Sequence, residues 1–193
     1  MTTMRVNPHE LIVAGENSFL RLSVDEGKTM AHRTSHWRVF WSPVGPGHAL
    51  FIESELTDGI KIYSDNVALA RYLQRQIEYL LHKPFGDIHI PVIDAIFTRE
   101  GDPRSYAAEQ IESSVDSIRL VWYDFITPFN FSAEPGWNNR PLGVQTTFFP
   151  ATSADLIVNG KFATGKPWSE KRGDQLSSSA CLAWCETWVR PRS

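Results

Sequence analysis

The chain has 193 residues, below the ~250 at which single cores give way to several domains, so one domain over 1–193 is expected. Its 42% apolar and 21% charged fractions are those of a globular chain and exclude disorder. Nineteen basic against twenty-two acidic side chains give a net charge of -3, which supplies no cation excess to displace counterions from phosphates and argues against nucleic acid as a partner.

The opening residues MTTMRVNPHELIVAG contain Arg5 but no apolar stretch of the ~7–15 residues a secretory signal uses. No other run approaches the ~20 apolar residues of a membrane span, so a soluble, cytoplasmic protein without membrane partners is expected. Cys181 and Cys185 stand four apart in a segment of strand pattern, which separates them by roughly 13 Å. That exceeds the ~7 Å a disulfide tolerates, and two free thiols suit a reducing compartment.

The first clear period-two pattern is at 36–41, where Trp37, Val39 and Trp41 alternate with His36, Arg38 and Phe40. Pro43-Val44-Gly45-Pro46-Gly47 breaks it, and 48–56 with 59–63 then form a hairpin across Thr57-Asp58-Gly59. Residues 67–81 change period. Leu69, Tyr72, Leu73, Gln76, Ile77, Leu80 and Leu81 make one apolar stripe, with Arg71, Arg75 and Glu78 opposite, which predicts a helix over about 65–82. Ser64 or Asp65 is the expected N-cap, and Pro84 with Gly86 the stop.

Strands are expected at 88–98, ended by Glu100-Gly101-Asp102-Pro103, and at 106–125, which is too long for one ordinary strand. Residues 129–141 have loop composition. Further strands follow at 142–149 and 154–158, with Asn159-Gly160 turning into 161–163. A second loop at 164–175 precedes the last strand, 177–190.

Nine or ten strands with one helix exceed a single open sheet. The fold class expected is therefore mainly β: an antiparallel meander closed into a barrel, or folded into a two-sheet sandwich, with one main helix around 65–82. In outline this resembles the calycin type of architecture, although no family motif carries the likeness.

His32 and His36 have H-x-x-x-H spacing, but it leads into a strand, without a following Glu or a third ligand, so no metal is expected. The chain has no nucleophile elbow, phosphate loop, dinucleotide fingerprint or CxxC pair, and no cofactor is expected. Cys181 and Cys185 share a period-two face with Ala183 and Thr187, which reads as packing rather than thiol chemistry.

Acids set within apolar alternation carry more information. Three faces read Leu120-Trp122-Asp124-Ile126, Leu182-Trp184-Glu186-Trp188 and Ile90-Val92-Asp94-Ile96. Facing inward, each carboxyl would be desolvated and its pKa raised, as a general acid or base requires; paired with Arg38, Arg119 or Arg140, it would be structural.

The leading functional reading is binding of a small hydrophobic or aromatic molecule in the barrel interior, lined by Trp122, Trp184 and Trp188. The alternative is a cofactor-independent isomerase, cyclase, lyase or hydrolase in which Asp124 or Glu186 transfers a proton. A third is an interaction module presenting Trp137 and Trp168 from the two loops.

Overall fold

A computed structural model describes residues 7–102 and 104–192; the opening segment with Arg5, and Pro103 of the turn, lie outside them. In chain order the elements are β1 (His9–Ser23), β2 (Met30–Trp41), β3 (Gly47–Ser54), β4 (Gly59–Ser64), a helix α1 over 67–81, β5 (Val92–Asp102), β6 (Tyr106–Ser113) and β7 (Ser117–Phe125). They continue with β8 (Phe129–Ala133), β9 (Gly143–Val158), β10 (Lys161–Phe162), β11 (Ser169–Arg172), β12 (Gln175–Ser178) and β13 (Ala180–Pro191).

Nine of these strands close into the expected barrel, in the order β9-β13-β1-β2-β3-β4-β5-β6-β7 and back to β9. Every neighbouring pair in the ring is antiparallel except β4–β5. A parallel pair needs a crossover, and α1 supplies it. Among the described residues no helix is long and apolar enough to cross a membrane.

The barrel wall has a core on each side. Inside lie Leu20, Leu50, Ile52, Leu120, Trp122 and Leu156; outside, beneath α1, lie Trp37, Phe51, Ile62, Leu69, Leu73 and Ile77. This explains the unbroken apolar run Ala49-Leu50-Phe51-Ile52 in β3, whose residues feed the two cores alternately. One end of the interior is polar. Arg99 bonds Glu16 and Glu109, and the His36 ring, 1% exposed, lies against Phe97.

Helix α1 matches the periodicity, but two of its details differ. It runs through Val67–Leu73, a π-helical turn at Gln74–Glu78 and Tyr79–Leu81, and its cap is Asn66, whose side chain accepts from the Leu69 N–H. Glu78, expected on the solvent side, is fully buried; it stands four residues beyond Gln74 and eight beyond Ala70, which are also fully buried. Arg71 is half-buried and donates to Gln74 and to the Ile90 carbonyl, which leaves Arg75 as the exposed position.

Several strands depart from the expected pattern. β1 escapes period-two reading because both its faces are covered, as Asn17, Ser18, Leu20 and Leu22 are all buried. The loop 129–141 contains β8, which takes over as partner of β9 after β7 leaves at Phe125. β9 is continuous where two strands were expected, and the loop at 164–175 contains the hairpin β11–β12. Trp41 separates from Trp37 and Val39 because β2 gains a residue where Ala14 pairs Trp41 but Gly15 pairs Val39. A Cβ at Gly15 would overlap the Arg38 carbonyl oxygen there, so the close approach requires glycine.

The decisive irregularity is in β13. Trp184 pairs Thr147 but Thr187 pairs Gln145, so Cys185 and Glu186 together face one residue of β9, and Cys185 adopts a left-handed backbone with φ 53°. This is a β-bulge, and it reverses which face later side chains occupy. Leu182 and Trp184 point into the barrel, whereas Trp188 packs in the outer core and Glu186 lines a pocket on that outer side. Cys181 is buried, whereas Cys185, in the bulge, is exposed.

Candidate functional site

A pocket of about 390 Å³ opens on the outer flank of the barrel. Its floor is the outer face of β1, β2, β9 and β13, carrying Asn17, Phe19, Ser35, Phe148, Glu186 and Trp188. The end of α1 forms one wall with Glu78 and Leu81. β8 and the turn after it form a second with Phe131, Trp137 and Arg140, and the hairpin β11–β12 a third with Glu170 and Arg172. The aromatic side is continuous: Phe148 packs against Phe19 and Phe131 at centroid distances of 6.1 and 5.7 Å, and Phe131 against Trp137 at 5.4 Å.

Two buried carboxyls stand at the floor. Glu186 accepts a 2.6 Å bond from Trp188 Nε1, and the polar side chains of Asn17 and Thr146 beside it also favour its ionised form. Glu78 Oε1 accepts from Ser35 Oγ at 2.6 Å and from Trp37 Nε1 at 2.5 Å, while its Oε2 is buried without a partner. Ser35 Oγ also lies 3.0 Å from Asn17 Oδ1, so Ser35 and Asn17 link the two acids. Burial outweighs these hydrogen bonds and holds both carboxyls up at about 7, against 4.5 for a free group.

Cations surround them. Arg21 is paired with Glu170 at 2.6 Å and lies over the Phe19 and Trp168 rings. The Arg172 guanidinium lies 4.6 Å from the Phe148 centroid and 5.2 Å from that of Phe19, with its Nε buried and unpartnered. Burial lowers the proton affinity of Arg33 and Arg172. Such a site presents flat apolar surfaces, two carboxyls able to hold or release a proton near neutrality, and guanidinium donors.

The structure brings only part of the sequence-predicted set to this pocket. Glu186 and Trp188 line it, and so does loop residue Trp137. Trp122 is fully buried in the barrel interior and donates from Nε1 to the Phe19 carbonyl oxygen. Trp184 is inside as well, its ring tilted 45° against Phe149 at a centroid distance of 4.4 Å, across the wall from Glu186. Asp124 is exposed, on a left-handed residue with φ 55°, and its face does not continue inward from Trp122. Asp94 and Ile96 are also exposed, because Ala95 and its alternates face the core of β5.

Sequence reasoning missed Glu78, Asn17, Phe148, Arg33 and Arg172. The i+4 spacing of Ala70, Gln74 and Glu78 was the one local signal for Glu78; the rest come from separate strands and carry none. No protein-family model and no curated protein matches this chain.

Proposed function

We propose that the protein binds a small organic molecule with an aromatic or apolar body, held in the flank pocket rather than in the barrel interior. The observation that carries this reading is a 390 Å³ concavity walled by Phe19, Phe131, Phe148, Trp137 and Trp188 and lined also by Glu78, whose Oε2 is buried without a partner. Its volume falls within the ~300–1,000 Å³ of small-molecule sites, which combine apolar walls with a few polar groups. In the interior, where the sequence reading put the ligand, Trp122 belongs to a core with Tyr63, Leu120, Leu156 and Trp184.

Native mass spectrometry of the purified protein for a retained molecule, with tryptophan-fluorescence titration of 1-naphthol, tests the assignment. Phe148→Ala should weaken binding at least tenfold and Trp122→Phe should leave it unchanged. The reverse pattern moves the ligand inside the barrel, and absence of any binding removes the reading.

A second reading, proton transfer to or from the bound molecule without a cofactor, is favoured by the high proton affinity of Glu186 beside the pocket. There Glu186→Gln would keep binding and abolish turnover. Asp124, the other acid singled out by sequence, does not line the pocket, and Glu78 takes its place as the second carboxyl.

A further inference from the structure

Resting on the flank-pocket reading, we propose that the bound molecule is an amphipathic acid whose carboxylate seats against Arg172. Two aromatic rings, Phe148 and Phe19, hold this guanidinium from β11 at the pocket lining. Its Nε is buried without an acceptor, and an unmet buried donor is costly to keep unless something supplies the acceptor. Among the described residues no carboxylate pairs with Arg172. Of the two acids whose charge reaches it, Glu170 is engaged by Arg21 at 2.6 Å, and Glu186 accepts from Trp188.

The charge balance points the same way. Arg21, Arg33, Arg140, Lys171 and Arg172 line the pocket against three carboxyls, in a chain whose net charge is -3. Of those three, Glu170 alone stands in an ion pair, whereas Glu78 and Glu186 accept from hydroxyl and indole groups. A guanidinium presents its N–H groups as a planar fork, which two coplanar carboxylate oxygens match. The rings of Phe131 and Trp137 beside it would cover the apolar body.

The experiment is calorimetric titration at pH 6.5 with two matched series: 1-naphthoate, 1-naphthylmethanol and 1-naphthyl phosphate, then octanoate and octanol. The acid of each series should bind at least tenfold more tightly than its alcohol, and Arg172→Gln should erase that advantage while leaving alcohol affinity within threefold. Alcohols that bind as well as the acids overturn the proposal and leave the pocket standing; failure of every compound overturns the pocket reading and this inference with it. Naphthyl phosphate binding more tightly than naphthoate overturns the choice of carboxylate. Should Arg172→Gln fail to fold by circular dichroism, Arg172→Lys keeps the charge and loses the fork. It should reduce the acid preference at least threefold, and an unchanged preference overturns the assignment to Arg172.

Discussion

The indole N–H of Trp188 donates to Glu186 Oε1 at 2.6 Å from two positions along the same strand, whereas Trp184, two positions the other way, lies across the barrel wall. Glu186 is 4% exposed and titrates at about 7 rather than 4.5. A carboxyl with a higher pKa in the folded chain binds more protons there, so its contribution to stability is present below pH 4.5 and lost as pH rises through about 7. Glu186→Gln keeps an acceptor for Trp188 and removes the buried charge. We expect it to melt about 4–8 °C above the parent at pH 8 and close to it at pH 4.5, from a gain on the order of 2–3 kcal/mol. A lower melting temperature at pH 8 would show that Glu186 is ionised and paired.

His36 acts on the opposite limb. Burial, with Arg99 nearby, pushes its imidazole down to about 3, well below the usual 6.5. The unfolded chain then takes up a proton that the folded one refuses, and stability falls as pH drops from 6.5 toward 3. Between about 4.5 and 6.5 this loss opposes the gain from Glu78 and Glu186. With two carboxyls against one imidazole the gain wins, so the parent melting temperature should rise on acidification across that window, and that of His36→Gln should rise more steeply. Scanning fluorimetry in half-unit pH steps checks both curves.

Leu73 is fully buried beneath α1 and Arg75 is exposed. Leu73→Asp buries an unpaired charge, at a cost of several kcal/mol, comparable with the whole folding margin. Arg75→Asp should change stability by less than about 0.5 kcal/mol. Arg71 is no neutral control, because its bond to the Ile90 carbonyl ties α1 to the segment entering β5. Urea denaturation of the two variants gives the comparison, and equal midpoints would contradict the burial of this face.

The bulge divides the two thiols. Cys185 is exposed, while Cys181 is buried and its proton affinity is strongly raised by burial. A colorimetric thiol reagent should titrate one cysteine in the native protein and two after denaturation without reductant. Two fast-reacting thiols in the native state would contradict the burial of Cys181.

How much of this was legible in the sequence depends on how one-sided each element is. Leu69, Leu73 and Ile77 announce α1 because one helix face meets the barrel, and the turns around Gly45 and Gly59 punctuate β2 to β4. β1 carries no such contrast, since interior Leu20 and outer Asn17 are both buried. Glu186 stood out as an acid among tryptophans. Its true neighbours did not, because the bulge rests on Cys185, a residue type without the turn signal of glycine or asparagine. Arg33 and Arg172 reach the pocket from β2 and β11, and only the closed topology brings such distant stretches together.

Closure of the ring also sets an order of events for the nascent chain. β1 is hydrogen-bonded along one edge to β2 and along the other to β13, which follows every other strand of the ring in chain order. Until β13 emerges, β1 and β9 each wait with an open, apolar-bearing edge, and contacts of such long sequence separation fold slowly. The interval is a window for intermolecular strand pairing. Refolding yield should therefore fall steeply with protein concentration, and a chaperone that shields strand edges should act on this chain before β13 leaves the ribosome.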